Sequence, residues 1–290
     1  MNAMTDPHTA PVFAPQACTH PPTAKAAGSS FYWAMRLLPA DRRDAMFYVY
    51  AFCREVDDIA DGADPADVKM ARLEEWRERV ESLYRDSEPM PAIQSLKPGV
   101  MRYRLDKADL IAVINGMEMD AHDIVRIADE AAFDLYLDRV ASAVGRLSDK
   151  VFGLDGDVSV RLAHHLGRAL QITNILRDLD EDAGRNRLYL PLSLLKTHGI
   201  DSNEPRIVLS HANLGAVLSQ LAGQARGHFA EAKAIMATLE KAKTRPARVM
   251  MAVYARVLER LEARGLARIN VAVKLSKSEK LWLAFRHGIL

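Results

Sequence analysis

Hydrophobic residues recur every three or four positions along most of this chain, which is the spacing of helices that pack against a core. Runs that alternate apolar and polar side chains, as half-buried strands do, are almost absent. Proline and glycine fall mainly between the periodic stretches. The pattern predicts helices over 41–61, 65–86, 91–105, 107–120, 130–153, 157–183, 205–240, 245–267 and 276–287. We therefore expect an all-α bundle with no sheet.

The first 28 residues differ from the rest of the chain. They contain five prolines and lack the apolar run and the basic stretch of a signal peptide or a membrane span. We expect 1–28 to be a disordered segment and 29–290 to form a single all-α domain, because no internal linker divides the periodic stretches.

The predicted helix 41–61 ends in acidic residues. Asp57, Asp58 and Asp61 occupy its last turn, and Gly62 is the expected C′ residue. A helix carboxyl end favours cations, by roughly 0.3–1 kcal/mol each. Two like charges about 4 Å apart cost on the order of 4 kcal/mol at an effective dielectric near 20. A bound Mg²⁺, which prefers carboxylate oxygens, offsets this cost.

The predicted helix 157–183 repeats the arrangement. Four polar residues share one of its faces, namely Gln171, Asn174, Asp178 and Asp182. Asp180 lies off this face. Arg54 precedes the first acids by one turn, and Arg177 adjoins Asp178, so each acidic end carries a guanidinium group suited to phosphate. Together the two ends indicate a site for a metal–diphosphate complex rather than two solvated acidic surfaces.

Composition excludes other classes of function. The 290 residues are 49% hydrophobic and 27% charged, with a net charge of +1, and basic residues are interleaved with acidic ones, so we expect no nucleic-acid partner. The cysteines, Cys18 and Cys53, offer no disulfide framework, which favours a cytoplasmic location. His164 and His165 are adjacent and project about 100° apart on a helix, a spacing that argues against a shared metal site.

Several segments, in order along the chain, resemble the squalene/phytoene synthase family. They are Ser29–Tyr32, Leu37–Pro39, Tyr50–Arg54 with Asp57–Asp61, Gly116–Asp120, Val140–Gly145, Gln171–Asp178 and Arg187–Pro191. The resemblance runs from about residue 28 to 275. The opening segment and Val273–Lys277 resemble the bacterial members that supply hopanoid synthesis. The resemblance implies the class I isoprenoid synthase fold, a helical bundle around a central cavity.

The resemblance also implies an activity and its residues. Two farnesyl diphosphates would condense head to head to presqualene diphosphate with Mg²⁺ as cofactor, and downstream enzymes of squalene formation would consume the product. The implied catalytic residues are Asp57, Asp61, Asp178, Asp182 and Arg54. The implied metal ligands are Asp57, Asp58, Asp61, Asn174, Asp178 and Asp182. The implied substrate-binding residues are Ser29, Ser30, Tyr50, Arg54, Gln171, Asn174, Arg177, Arg187 and Tyr189. The proton acceptor is either the released diphosphate or a polar group near it.

One departure from the family concerns where the reaction stops. Members that complete the reaction to squalene or phytoene tend to carry tyrosine just before the Val-Ala-Gly segment, where this chain has Asp138 and Arg139. A charged pair beside the cavity would favour the retained diphosphate over a rearranging cation, so we expect the reaction to stop at presqualene diphosphate.

Other functions remain open. A phytoene, dehydrosqualene or complete squalene synthase would share every acidic residue. A class I terpene cyclase normally has a second metal site richer in Asn, Ser and Glu. A non-catalytic assembly factor of the same fold is disfavoured because the acids are all present, together with Arg54, Asn174 and Arg177.

The carboxyl-terminal segment combines basic and aromatic residues. Lys274, Lys277 and Lys280 precede the apolar stretch Leu281–Phe285. Such a segment suits peripheral contact with an anionic membrane surface. A terminal helix that closes the bundle is the alternative.

Overall fold

The computed structural model describes residues 34–288. The expected disorder over 1–28 and the candidate substrate-binding residues Ser29 and Ser30 lie outside this range.

Helices account for most of the described chain, which confirms the all-α class. They are α1 (Ala40–Asp61), α2 (Ala66–Leu83), α3 (Lys97–Tyr103), α4 (Lys107–Asp120), α5 (Glu130–Leu137), α6 (Ala143–Phe152), α7 (Gly156–Gly184), α8 (Leu192–Thr197), α9 (Pro205–Leu209), α10 (Leu214–Ala237), α11 (Lys241–Arg264) and α12 (Lys277–Gly288). A 3₁₀ turn (Gln94–Leu96) precedes α3, and a π-helical turn (Asp138–Ser142) joins α5 to α6.

The expectation of no sheet is wrong in one small region. Strands β1 (Val125–Arg126) and β2 (Arg187–Leu188) form a parallel ladder that pairs Val125 with Arg187 and Arg126 with Leu188. Two-residue strands carry no detectable alternation, so the pairing had no signal in the sequence. The ladder fixes the chain that follows α7 beside the chain that follows α4.

Several predicted boundaries also differ from the observed ones. The single helix expected over 205–240 is interrupted after Leu209, where the backbone nitrogen of Asn213 donates to His211 Nδ1 at 3.1 Å. Helix α8 was not predicted. Gly62 follows α1 with φ −63° and ψ 166°, an extended conformation rather than the left-handed one expected of a C′ glycine.

Helix α7 lies at the centre of the bundle. Its buried side chains recur at helical spacing, and it packs against α6, α10, α11 and the π-helical turn. Gly167 allows the closest approach, because a Cβ atom there would lie 2.8 Å from the backbone nitrogen of Ser142. The carboxyl end of this central helix therefore occupies a fixed position relative to the neighbouring helices.

Candidate active site

The acidic ends of α1 and α7 meet in space. Helix α7 ends at Gly184, and Asn186 turns the chain with a φ of 58°. The ladder then places Arg187 so that its Nη1 atom lies 2.6 Å from Asp61 Oδ1, while Arg185 Nη1 lies 2.9 Å from Asp61 Oδ2. The two predicted acidic clusters, which are far apart in sequence, are thus brought to one site.

Arg54 forms ion pairs with the other two aspartates at the carboxyl end of α1. Its Nη1 atom lies 2.6 Å from Asp57 Oδ2, and its Nη2 atom lies 2.6 Å from Asp58 Oδ1. Burial raises the pKa of Asp57 in spite of this arginine. At Asp61 burial acts in the same direction, but Arg187 and Arg185 outweigh it and hold the pKa below its usual value. Tyr50 lies one turn before Arg54 and contributes to its electrostatic environment.

On α7, neighbouring acids have different partners. Asp178 accepts two hydrogen bonds from Arg177, at 2.8 Å from Nε and 2.6 Å from Nη2. Asp180 points elsewhere and pairs with Arg206 of α9 at 2.5 Å. Asp182 makes no ion pair with any residue of 34–288, and burial followed by the charge of Asp178 raises its pKa to about 7.

The oxygen atoms left at this site suit a divalent cation. The Oδ1 atom of Asn174 is buried and has no hydrogen-bond partner among the described residues, and its Nδ2 atom donates to Gln171 Oε1 at 3.3 Å. Asp182 lies two turns further along the same face. A buried, unpaired amide oxygen and a carboxylate without a counterion are ligands that Mg²⁺ accepts, so the residues present fit this cofactor.

An apolar cavity of about 190 Å³ begins beside the acidic face of α7. It lies between α6, α7 and α11, with Gln171 and Asn174 in its lining. It reaches Leu162, about 18 Å along the helix axis from Asn174 at 1.5 Å per residue. Apolar side chains dominate its walls. A hydrocarbon chain placed here would have its polar end near the acids.

Asp149 is an unexpected member of the cavity lining. Its side chain is buried, and its Oδ2 atom has no hydrogen-bond partner among the described residues. Burial raises the pKa of this carboxyl well above its usual value. Burial therefore favours the protonated, uncharged form of this carboxyl within the cavity.

Tyr254 of α11 separates this cavity from a polar cleft of about 470 Å³, because it lines both. Its hydroxyl also contributes to the electrostatic environment of Arg177, whose pKa it helps to raise. Arg177, Asp178, Lys274 and Lys280 also line the cleft. Sequence reasoning did not find Tyr254, because it belongs to none of the segments that carry the family resemblance.

Beneath the acidic site lies a buried network centred on Asp120, at the end of α4. The Tyr189 hydroxyl donates to Asp120 Oδ1 at 2.7 Å, and the Tyr136 hydroxyl lies 3.2 Å from Oδ2. The two tyrosine rings stack with centroids 4.9 Å apart. Arg187 Nη2 donates to the backbone oxygen of Asp120 at 3.0 Å. Burial raises the pKa of Asp120 to about 6.

Tyr189, one of the expected substrate-binding residues, belongs to this network. Its side chain is buried and its hydroxyl donates to Asp120, whose backbone oxygen accepts from Arg187. The signal for Asp120 was available, because this residue ends the Gly116–Asp120 segment, but its partners lie far away in sequence.

The pair at 138–139 is not placed as expected either. Asp138 accepts from Arg146 Nη1 at 2.8 Å and from Nη2 at 3.2 Å, and Arg146 also pairs with Asp109 at 2.6 Å. The cavity lining includes Val140 and Ala141 but neither Asp138 nor Arg139. Asp138 is therefore part of an ion-pair network between α4 and α6, not a charge in the cavity wall.

Cys53 lies on α1, directly before Arg54. Burial, reinforced by Asp57, raises the pKa of the Cys53 thiol to about 12, so this cysteine is not a thiolate nucleophile at neutral pH.

No helix within residues 34–288 is both long and apolar enough to cross a bilayer.

Comparison with known proteins gives three kinds of match. The squalene/phytoene synthase family profile matches residues 24–279. The presqualene diphosphate synthase of Rhodopseudomonas palustris is 46% identical over 265 residues, which are 91% of this chain and 95% of that protein. The presqualene diphosphate synthase of Sinorhizobium fredii is 43% identical over the same shares. A crystal structure of a dehydrosqualene synthase in complex with ligand superimposes with a TM-score of 0.78 at 24% identity, covering 90% of this chain and 91% of that one, which confirms the isoprenoid synthase fold.

Proposed function

Because the chain belongs to the squalene/phytoene synthase family, we propose that it is the prenyltransferase that condenses two farnesyl diphosphates head to head into presqualene diphosphate. One observation supports this most directly. Arg187 and Arg185 join the acidic end of α1 to that of α7, beside an apolar cavity. A substrate with a hydrocarbon chain and a diphosphate head matches both parts.

Arginines and acids of the site have different roles in binding the diphosphate head. Guanidinium groups offer paired donors to phosphate oxygens, and Arg54, Arg177 and Arg187 already lie among the acids. Mg²⁺, when bound, neutralises the negative charge that develops on the leaving diphosphate. The residues that would hold it are Asp57, Asp58, Asp61, Asn174, Asp178 and Asp182.

The apolar cavity then determines what happens to the cation. Loss of diphosphate from one substrate leaves an allylic cation, which the double bond of the second substrate attacks. Loss of a proton closes a cyclopropane ring, and the second diphosphate is retained. Walls such as Val140, Val144 and Leu166 exclude the water that would quench the cation. The released diphosphate or a polar group near it accepts the proton.

We assign presqualene diphosphate as the final product. The relatives of that name, at 46% and 43% identity, support this over a phytoene or complete squalene synthase.

Product analysis tests the assignment. Purified protein with farnesyl diphosphate and Mg²⁺ should yield a C30 alcohol on mass spectrometry only after phosphatase treatment, and adding NADPH should not change this. Asp178→Asn serves as the inactive control. Squalene or dehydrosqualene as the main product would overturn the assignment but not the family.

We further propose that the enzyme works in the cytoplasm against a membrane surface, where downstream enzymes of squalene formation take up its apolar product. In α12, Leu283 and Ala284 are buried against the bundle, while Leu281, Trp282 and Phe285 are half exposed, at 52%, 54% and 51%. The helix thus closes the bundle with one face and leaves a basic and aromatic face available to lipid.

A further inference from the structure

Three histidines from two helices meet on the side of the bundle. His164 and His165 lie on α7, and His228 lies on α10. The ring centroids are 4.9 Å apart for His164 and His165, 5.2 Å for His165 and His228, and 5.9 Å for His164 and His228. One ring nitrogen from each residue lies within 4.8 Å of the other two.

This arrangement corrects the expectation from sequence. Adjacent side chains on α7 diverge, which argued against a shared site, but His228 approaches both of them from α10. His165 Nδ1 and His228 Nδ1 are 3.0 Å apart. Within residues 34–288, no other group of three His, Cys, Asp or Glu side chains comes together in this way.

The cluster is separate from the proposed active site. None of the three histidines lines the apolar cavity, whose α7 wall is formed instead by neighbours such as Ala163 and Leu166. His164 precedes Asn174 by ten residues, or about 15 Å along the helix axis. Imidazole nitrogens also differ in chemistry from the oxygen ligands of the acidic site.

The protonation state of the cluster suits metal binding, which requires neutral imidazole. Burial lowers the pKa of all three histidines, and for His228 burial together with the other two rings lowers it to about 4. Each of these shifts favours the neutral ring. They are each half-buried, so an ion has access from solvent.

Charged neighbours are nearly balanced around the cluster. Arg168 opposes a cation, but its guanidinium group lies 3.7 Å from Asp134 and 4.0 Å from Asp138 and donates to Ser142 Oγ at 3.0 Å. At His165, Arg161 lowers the pKa of the imidazole as Arg168 does, and Glu231 raises it. The carboxylates thus compensate the arginines.

We propose that His164, His165 and His228 form a binding site for a late first-row divalent metal ion of the Zn²⁺ class, with water in the fourth position. Tetrahedral Zn²⁺ with Zn–N bonds near 2.0–2.1 Å places its nitrogen ligands about 3.4 Å apart. The 3.0 Å separation of the Nδ1 atoms of His165 and His228 is close to this value. The His164 nitrogen, within 4.8 Å, completes the triangle with a small rotation of its ring.

Binding needs no change in net protonation. In the metal-free pair, one Nδ1 donates its proton to the other Nδ1. When both nitrogens bind metal, that proton moves to Nε2 of the same ring, so both rings remain neutral. The ion would connect α7, which carries the acidic face, to α10, and its role would be to stabilise this contact rather than to take part in the coupling reaction.

Metal titration of the full chain tests the proposal. After chelator treatment, the protein is titrated with Zn²⁺ by calorimetry and with Co²⁺ by visible absorption, both in excess Mg²⁺ to occupy the acidic site. We expect one equivalent of Zn²⁺ to bind and to raise the melting temperature. Binding should weaken by about tenfold or more in His228→Gln and His165→Gln, because even groups that only support a ligand change affinity by about 10–100-fold.

Controls separate this site from the others. His122→Gln, which alters an exposed histidine elsewhere, and Asp178→Asn, which alters the acidic site, should both retain the Zn²⁺ equivalent. Histidine ¹⁵N spectra of the unmutated protein should show three perturbed rings on addition of Zn²⁺, a readout that does not depend on any variant folding. Absence of a one-equivalent site, or its loss in Asp178→Asn but not in His228→Gln, would overturn the proposal.

Discussion

Asp178 and Asp182 lie one turn apart on the same face of α7, yet their surroundings differ. Asp178 accepts two hydrogen bonds from one edge of the Arg177 guanidinium group, whereas Asp182 has no ion-pair partner in the described part of the chain. Burial and the charge of Asp178 raise the pKa of Asp182 to about 7. Without a cation, burial and neighbouring negative charge therefore disfavour the ionised form of Asp182, which a bound metal would favour.

This difference leads to a prediction for single substitutions. Asp178→Asn and Asp182→Asn should each lower kcat by roughly a hundredfold or more, because a Lewis acid contributes several kcal/mol to the transition state. Neither should lower stability much, and Asp182→Asn should raise it by removing a buried acid. Asp180→Asn should stay within a few-fold of the unmutated enzyme, because Asp180 faces Arg206. Diphosphate release measures all three, and an equal loss at 180 and 178 would contradict the assignment of faces.

Asp149 gives a second prediction at this scale, concerning pH. Because the folded-state pKa is raised above the unfolded value, its stabilising contribution is complete below about pH 4 and falls as the pH rises towards the folded-state pKa. An uncharged amide at this position would carry no such dependence. The gain in unfolding free energy of Asp149→Asn should therefore grow by about 1.4 kcal/mol per pH unit between about pH 4 and the folded-state pKa of Asp149.

Urea unfolding between about pH 5 and pH 7 measures this gain. Asp201→Asn is the matched control, because Asp201 is exposed in the loop before α9 and should show no comparable gain. A gain for Asp149→Asn that does not depend on pH would show that the carboxyl is charged in the cavity.

At the scale of elements, the spacing of apolar residues predicted most helices because a buried helical face requires that spacing. The stretch 130–153 shows the limit. It was predicted as one helix, and its periodicity is unbroken, but Asp138–Ser142 forms a π-helical turn where Ser142 meets Gly167 of α7. That contact lies in the tertiary structure, so the local pattern does not report it.

The close approach of these two elements gives a third prediction. Gly167→Ala should lower the unfolding free energy by roughly 1–3 kcal/mol, because the added Cβ would lie 2.8–3.0 Å from backbone atoms that have no freedom to move aside. Gly227→Ala in α10 is the control, since a Cβ there meets nothing within 4 Å and should stabilise the helix by roughly 0.5–1 kcal/mol. Denaturant unfolding measures both. Equal effects would show that the contact is adaptable.

The candidate site could be predicted where its residues lie on the same helix. The acids of α1 are grouped by their spacing within that helix, as are the acids of α7, and this spacing can be read from the sequence. The Asp120–Tyr189 bond joins residues 69 positions apart, and His165 meets His228 across 63 positions. Such pairs depend on how helices are arranged, and a single sequence contains no measure of that arrangement.

At the scale of the whole molecule, α12 places an apolar and basic face at the surface. Trp282 and Phe285 are half exposed, and Arg286 lies over the Trp282 ring at 5.3 Å. Substituting both aromatic residues by serine should lower partitioning onto anionic vesicles by roughly tenfold or more, since fully burying such a side chain contributes about 1.5–3 kcal/mol. Salt should weaken the remaining binding.

Vesicle co-sedimentation measures this effect, and Ile207→Ser is the matched control. Ile207 is also exposed, at 55%, but lies on α9 rather than α12. Sedimentation that is unchanged in the double variant, or equally reduced in the control, would count against membrane contact through α12.

The pairing of Asp61 with Arg187 and Arg185, and of Asp57 with Arg54, has a consequence for the order of ligand binding. Before substrate arrives, the carboxylates and guanidinium groups neutralise one another. A cation alone would have to separate the arginines from their acids, and a diphosphate alone would have to separate the acids from their arginines. When both bind, the acids exchange their arginines for the metal cation, and the arginines exchange their acids for the diphosphate anion. Neither set of charges is then left without a partner. Bound Mg²⁺ should therefore raise the affinity for diphosphate, and bound diphosphate should raise the affinity for Mg²⁺ by the same factor, which is positive heterotropic cooperativity.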